Sequence, residues 1–328
     1  MNTGNNIPTI YVIFTAFVLL LTTCNPEEDV VYPSDLGDWT YFKKSDGLPS
    51  NTIYSLYEDK SGKIWIGTDA GLSVYDGSDF TNFSTNDGLV GNSVYAVLED
   101  KGGKIWAGST EGLNVYIDGQ WFYFPDFYGV EVNAFLELSS GDILIGTGAY
   151  GVYRYNYDIN LISAFDVSNT CAACNSILAL YKDSEENIWV GSFAGARRIK
   201  NNTIFTFNTG NGLSGNIVTD LVEDSYGNVW AGCFNASTVS RLNGNSAEKI
   251  QFTNGNAESL TFALERDTFG HIWIGAAVFG LYRYDGAVMN RVYDEPPGNT
   301  IRALLSDKDG NLWVGSSTGL GRYVVGVN

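Results

Sequence analysis

Few residues in this 328-residue chain could carry covalent chemistry. Its one histidine, His271, lies in DTFGHIWIG (267–275), beside a tight turn. No G-x-S-x-G elbow, H-E-x-x-H pair or phosphate-cradling glycine loop accompanies it, so the histidine reads as structural or solvated and the chain as a non-enzyme. Cys171 and Cys174 form C-A-A-C, and Cys233 stands alone. A redox site of that spacing needs a helix N-terminus after a strand, and zinc needs further ligands. A local disulfide or buried thiols is the expectation, with no metal and no cofactor. One aspartate recurs along the chain (Asp59, Asp100, Asp183, Asp224, Asp267, Asp307). One carboxylate per turn is too few ligands for calcium, so each is expected to bond the backbone of its own hairpin. The residues best suited to hold a ligand are those that do not recur: Asp69, Glu111, Tyr150, Phe193, Phe234, Asn235 and Phe279. Aromatic faces beside amide and carboxylate acceptors suit a sugar, with its apolar C–H faces and hydroxyl rim. Asp69 and Glu111 could also form a glycosidase pair, but nothing local favours that over hydrogen bonding to a ligand.

These positions are defined by counting from a repeat. The stretch DKSGKIWIG (59–67) returns as DKGGKIWAG (100–108), DSYGNVWAG (224–232), DTFGHIWIG (267–275) and DKDGNLWVG (307–315). Weaker copies are DSEENIWVG (183–191) and LSSGDILIG (138–146). The anchors Trp65, Trp106, Leu144, Trp189, Trp230, Trp273 and Trp313 stand 41, 38, 45, 41, 43 and 40 residues apart. A period near 40 built from short strands predicts a β-propeller. Residues 47–87 read as one blade: strand 51–59, a turn at Gly62, strand 63–68, a loop at 69–71, strand 72–75, a turn at 76–78 and strand 80–83. Strands such as IYSLY and KIWIG are apolar on both faces, as sheets packed between two neighbours must be. Gly follows the anchor by two in every copy (Gly67, Gly108, Gly146, Gly191, Gly232, Gly275, Gly315), which predicts close backbone approach near a crowded axis.

The fold class is therefore all-β, a seven-bladed propeller of four-stranded antiparallel blades. After Gly319 the chain offers a third strand and no fourth, whereas WTYF (39–42) matches the fourth strands FTNF (80–83) and WFYF (121–124). Residues 38–43 are expected to complete the last blade and close the ring, removing exposed sheet edges. Blade boundaries fall near 47, 88, 130, 171, 212, 257 and 300. In such a ring the fourth-to-first and second-to-third strand loops share one face. The first set carries Asn51, Asn92, Asn175, Asn216 and Asn299, expected to cap loop backbone. The second set carries the seven candidate ligand residues named above, acidic in blades one and two and aromatic in blades three to six. An apolar wall facing a few polar groups is typical of a small-molecule site.

Three regions follow: 1–23 as a signal peptide, 24–37 as a tether and 38–328 as the propeller. Residues 10–21 are an apolar run of twelve, short for a membrane span and suited to a signal-peptide core. The following LTTC resembles a bacterial lipoprotein signal, with cleavage before Cys24 and lipid on its sulfur. An ordinary secretory signal and an uncleaved anchor are the alternatives. A net charge of −18 argues against nucleic acid and against peripheral binding to anionic lipid. Membrane association is expected through the lipid anchor only, in the bacterial cell envelope, on the periplasmic or surface side of the outer membrane.

The phrase N-x-[IV]…ED-x-x-G-x-[IV]-W-[IVA]-G-[ST]-x-x-G-L-x-x-Y, read from 51–75 and 92–116, resembles the two-component regulator propeller repeats. The resemblance covers about 38–328, strongly at blades one, two, five, six and seven and less at three and four. These repeats occur in periplasmic sensor regions of hybrid two-component systems, chiefly in Bacteroidetes, some of which recognise breakdown products of complex glycans. The resemblance implies a ligand-binding or sensor propeller, here used alone as a lipoprotein with an oligosaccharide as its ligand. Full sensors add a second propeller, a membrane span, a kinase and a DNA-binding output, and none follows Asn328. A protein-interaction scaffold docking on an envelope sensor kinase or transporter is a second reading. A streptogramin-lyase-like enzyme is a third, weakened because such enzymes rely on an active-site histidine and a divalent metal.

Overall fold

The computed structural model describes residues 38–158, 161–165, 172–234, 238–252, 260–278, 280–292 and 296–324. Cys24, Cys171, Asn235 and Phe279 lie outside them. Among the described residues, twenty-eight strands form seven four-stranded antiparallel sheets. Blade one comprises Ile53–Glu58, Ile64–Thr68, Gly71–Tyr75 and Phe80–Phe83, close to the boundaries read from the repeat. All five residues of its second strand are buried, and the same holds in blades two, three and six.

The last blade is composite. Ile301–Ser306, Asn311–Ser316 and Leu320–Val324 take their fourth strand from Trp39–Phe42, with Trp39 opposite Tyr323 and Phe42 opposite Leu320. The ring closes as expected, with the first and last repeats joined in one blade, and only short outer strands remain as sheet edges.

The core lies between blades. Trp65, Leu72 and Val74 of blade one pack on Val94, Ile105 and Ala107 of blade two. Trp313 and Leu320 of blade seven pack on Ile53, Ile64 and Ile66 of blade one. The glycine two residues past each anchor sits where blades converge. A Cβ at Gly108 would lie 2.6 Å from Val132, at Gly146 2.7 Å from Ile177, at Gly275 2.7 Å from Ile301, and at Gly315 2.6 Å from Ile53. In each case the obstructing residue opens the next blade's first strand, so the glycine is required by close approach.

The recurrent aspartate does more than shape its turn. One oxygen of Asp100 accepts from the backbone N–H groups of Gly102 and Lys104, and the other accepts from Trp106 Nε1 at 2.9 Å. The bond to tryptophan recurs at 2.7–2.9 Å in Asp59–Trp65, Asp183–Trp189, Asp224–Trp230, Asp267–Trp273 and Asp307–Trp313. A buried indole N–H needs an acceptor, and the turn carboxylate supplies it. Blade three has Leu138 and Leu144 at these two places. There Asp142 accepts from Arg154 and from the Tyr157 backbone instead.

Candidate ligand site at the propeller axis

The first strand of every blade lies innermost and carries a bulge. Its ladder to the second strand skips one residue: Tyr54, Tyr95, Asn133, Leu178, Thr219, Phe262 and Arg302 in blades one to seven. A bulge leaves its extra residue out of the ladder and re-aims the side chain. Side chains at this position touch their counterparts in adjacent blades, which only a ring around an axis allows. Tyr95 and Tyr54 have ring centroids 5.0 Å apart. The Arg302 guanidinium carbon lies 5.6 Å from the Tyr54 ring and 5.2 Å from the Phe262 ring. Phe262 meets Phe234 edge-on at 6.2 Å. One arc, Tyr95–Tyr54–Arg302–Phe262–Phe234, therefore spans blades two, one, seven, six and five.

The other side of the ring is different. Asn133 donates to the Ile177 carbonyl at 3.0 Å, and Thr219 to the Thr261 carbonyl at 2.7 Å. Both tie one blade to the next, with Leu178 between them in sequence order. Half of the axis is thus structural, and half presents aromatic faces and a cation.

Above the arc lie the two loop sets. Backbone bonds join the second-to-third-strand loops of blades one, three, four and six to the following blade: Gly71 N–H to Asn92 O at 2.7 Å, Gly151 to Asn175 at 2.9 Å, Gly195 to Asn216 at 2.6 Å and Gly280 to Asn299 at 3.1 Å. The loops share one face, as expected. Asn51, Asn92 and Asn216 accept through Oδ1 from the backbone N–H groups of Lys44, Thr85 and Thr209. These asparagines hold their own loops.

Of the candidate ligand residues, Asp69 and Glu111 are exposed on this face. Glu111 folds over Gly91, where a Cβ would collide with its carboxylate, and accepts from the Thr110 hydroxyl. Phe234 belongs to the arc, Phe193 is half-buried and Tyr150 is 62% exposed. Burial pushes the Tyr54 phenol up, Arg302 opposes this and Asp69 adds to it. Burial pushes Tyr95 up to about 12, with Tyr54, Glu131 and Glu111 contributing. Both phenols are therefore protonated at neutral pH, each able to donate one hydrogen bond. Asp69, Glu111 and Glu131 are near enough to be felt electrostatically at the arc.

The arc was missed in the sequence because IYSLY reads as a strand buried on both faces. A signal was present, however. The bulge residue varies widely, between a constant β-branched residue and one that is small in every blade except the fifth, where it is Asp220. Two carboxylates, Asp220 and Glu265, also lie deep in the ring on the first strands of blades five and six. Asp220 accepts from the backbone of Leu221 and Leu264. Burial pushes Asp220 up to about 7 and Glu265 up to about 8.

His271 lies at the other end of its blade, in the turn before Ile272–Ala276, with Nδ1 2.8 Å from Asp267 Oδ2. Cys174 is buried and disulfide-bonded, while Cys233 is a buried free thiol whose pKa burial raises. Among the described residues no group of three or more His, Cys, Asp or Glu could hold a metal ion, and no helix is long and apolar enough to cross a membrane. Two cavities lie off the axis. One, of about 330 Å³, is lined by Tyr226, Arg241 and Glu248, whose charges pair with each other. The other, of about 290 Å³, is lined by Trp106, Phe122 and Tyr155.

Comparison with known proteins agrees with this architecture. No curated protein matches the chain in sequence. Among solved structures, the extracellular domain of a hybrid two component system from B. thetaiotaomicron superposes with a TM-score of 0.74 at 18% identity, over 88% of this chain and 42% of that one. The extracellular domain of a one component system from the same organism gives 0.72 at 21%, over 88% and 40%. The chain thus spans about two fifths of each of those domains. Virginiamycin B lyase from Staphylococcus aureus gives 0.71 at 13%, over 88% and 98%. At these identities the likeness is one of fold. The family model described as two component regulator propeller matches residues 47–70, 88–111, 173–194, 212–235 and 295–318. These fall in blades one, two, four, five and seven. Blade four thus matches where a weaker likeness was expected, and blade six is unmatched although it keeps Asp267, Trp273 and Gly275. Five of its seven four-stranded blades thus carry the two component regulator propeller repeat.

Proposed function

We propose that this chain is a ligand-binding propeller of the cell envelope that recognises an oligosaccharide at the loop-bearing mouth of its axis. The observation that carries this reading is the arc Tyr95–Tyr54–Arg302–Phe262–Phe234 beneath the acidic loops of blades one and two. Aromatic rings stack on the C–H faces of a pyranose, and phenols and carboxylates bond its hydroxyls. The likeness to extracellular domains of B. thetaiotaomicron signalling proteins supports a sensing or capture role outside the cytoplasm. Anchoring of the chain through a lipidated Cys24 is part of this proposal.

Binding without catalysis is favoured by the position of the one histidine. Virginiamycin B lyase of S. aureus, which shares the fold, is catalytically inactive when one histidine is changed to alanine. Here His271 lies in a turn at the opposite end of the strands from the mouth, bonded to Asp267. A thermal-shift screen against oligosaccharides tests the reading, because a ligand that binds the native state alone raises apparent stability. A hit is expected whose shift disappears in Tyr54→Ala with Phe262→Ala. An unchanged shift in that variant removes the axis as the site.

A further inference from the structure

We infer that the ligand of the axial site is an acidic sugar, bearing a carboxylate or sulfate that the Arg302 guanidinium receives. This inference rests on the carbohydrate reading above and specifies its chemistry. Arg302 is the bulge residue of blade seven, and its side chain is gripped between two rings, Tyr54 from blade one and Phe262 from blade six. Stacking of this kind fixes the guanidinium plane but uses only its faces. The edge, with its N–H groups, is left over. Nε is buried without a hydrogen-bond partner, and among the described residues Arg302 forms no ion pair.

Arg197 Nη1 and Arg322 Nε are also buried without a partner, but neither arginine stands at a bulge position of a first strand, and three further arginines are satisfied. Arg154 lies on Asp142, Arg241 on Glu248, and Arg198 on the Gly244 carbonyl and Asn245. All of these are away from the axis. A guanidinium edge that is partly desolvated and unpaired is costly, and a planar oxyanion answers it with two parallel bonds. A neutral sugar would leave that cost in place. A cationic ligand would add repulsion.

The acidic neighbours do not argue for a cation. Asp69 and Glu111 are exposed on the loops, where they accept from hydroxyls. The arrangement therefore asks for one molecule with an anionic group at its centre and hydroxyl donors at its rim. That describes a uronic acid or a sulfated sugar. It also sets a direction of entry, anion first and hydroxyls last, since the bulge residues lie below the loop residues along each blade.

The test compares charge at constant shape. The full-length protein is titrated calorimetrically with digalacturonate, its dimethyl ester, and chondroitin and heparin disaccharides with and without sulfate. The expected result is that digalacturonate binds about tenfold or more tightly than its neutral ester if the anion is a carboxylate, or that a sulfated disaccharide does so over its unsulfated form if it is a sulfate. Arg302→Gln abolishes that difference and Arg302→Lys restores part of it. Equal binding within both pairs, or preference for the ester and the unsulfated forms, overturns the inference while leaving the carbohydrate reading intact. Retention of the acid preference in Arg302→Gln also overturns it. Should no oligosaccharide bind, acidic or neutral, the carbohydrate reading falls and this inference with it. The comparison of acid with ester needs no variant, so it stands even if Arg302→Gln does not fold.

Discussion

At the scale of single residues, the recurrent Asp–Trp bond separates what is structural from what is available to a ligand. The aspartate looks functional because it recurs, but its oxygens are engaged by the hairpin backbone and by an indole N–H in the same blade. Removing it leaves those donors without an acceptor. In Asp100→Ala, three donors lose their acceptor: Trp106 Nε1 in a buried setting, and Gly102 N and Lys104 N in a half-buried turn. The expected loss is about 3 kcal/mol by chemical denaturation. Asp59→Ala should cost less, on the order of 1 kcal/mol, because its turn is more exposed. Equal costs would show that the buried indole bond is not the main term. The turn role of the aspartate was legible from its place before Gly and Trp. Its bond to the indole was not, because residues six apart meet only once the hairpin is formed.

At the scale of the strand, two positions in each repeat carry the geometry, and only one could be read in advance. The glycine two past the anchor is constant, and its constancy pointed to crowding. Gly275→Ala is expected to cost about 1–3 kcal/mol, since its Cβ would lie 2.7 Å from Ile301 Cγ2 and the blades must separate to admit it. An unaltered denaturation midpoint would mean that blades six and seven can slide without cost. The bulge position is the converse case. Its residues vary, and variation in an apolar strand reads as ordinary core substitution. Only the skipped ladder position reveals that Tyr54, Tyr95, Phe262 and Arg302 leave the sheet and meet around the axis. Phe234 was chosen for its loop and belongs to the arc by virtue of Phe262, which could not be seen from spacing.

At the scale of the whole molecule, closure and buried charge set stability. Trp39 packs tilted against Tyr323 at 5.0 Å, and Phe42 stacks on Trp313 at 6.0 Å. Deleting residues 38–43 exposes the edge of Leu320–Val324, and light scattering should then show association in place of a monomer. A monomer with an unchanged midpoint would refute the closure argument. The ring also predicts opposing pH effects. Asp220 and Glu265 have folded pKa values raised to about 7 and about 8, above the ordinary value near 4 of an unfolded carboxylate. Their protonated forms favour the fold, so this stability is complete below about pH 4 and is lost as pH rises through about 7 and 8. Asp59 and Asp224 run the other way. Burial pushes each up, but hydrogen bonds from their turns and tryptophans outweigh it and hold both below the usual range. Their contribution is present above pH 4 and is lost on acidification. Thermal midpoints should therefore peak in mildly acidic buffer, and Asp220→Asn with Glu265→Gln should flatten the decline that runs from there to about pH 8. A decline of the same slope in that double variant would place its cause elsewhere.

The central claim is that recognition occurs at the axis and not on the repeated hairpins. Hydrogen–deuterium exchange, with and without the oligosaccharide giving the largest thermal shift, tests it most directly. The account predicts added protection at residues 53–55, 94–96, 261–263 and 301–303 and in the loops at 68–71 and 109–112, with none at the far-face turns 59–63 and 267–271. Protection confined to those turns, or to the outer fourth strands, would contradict it.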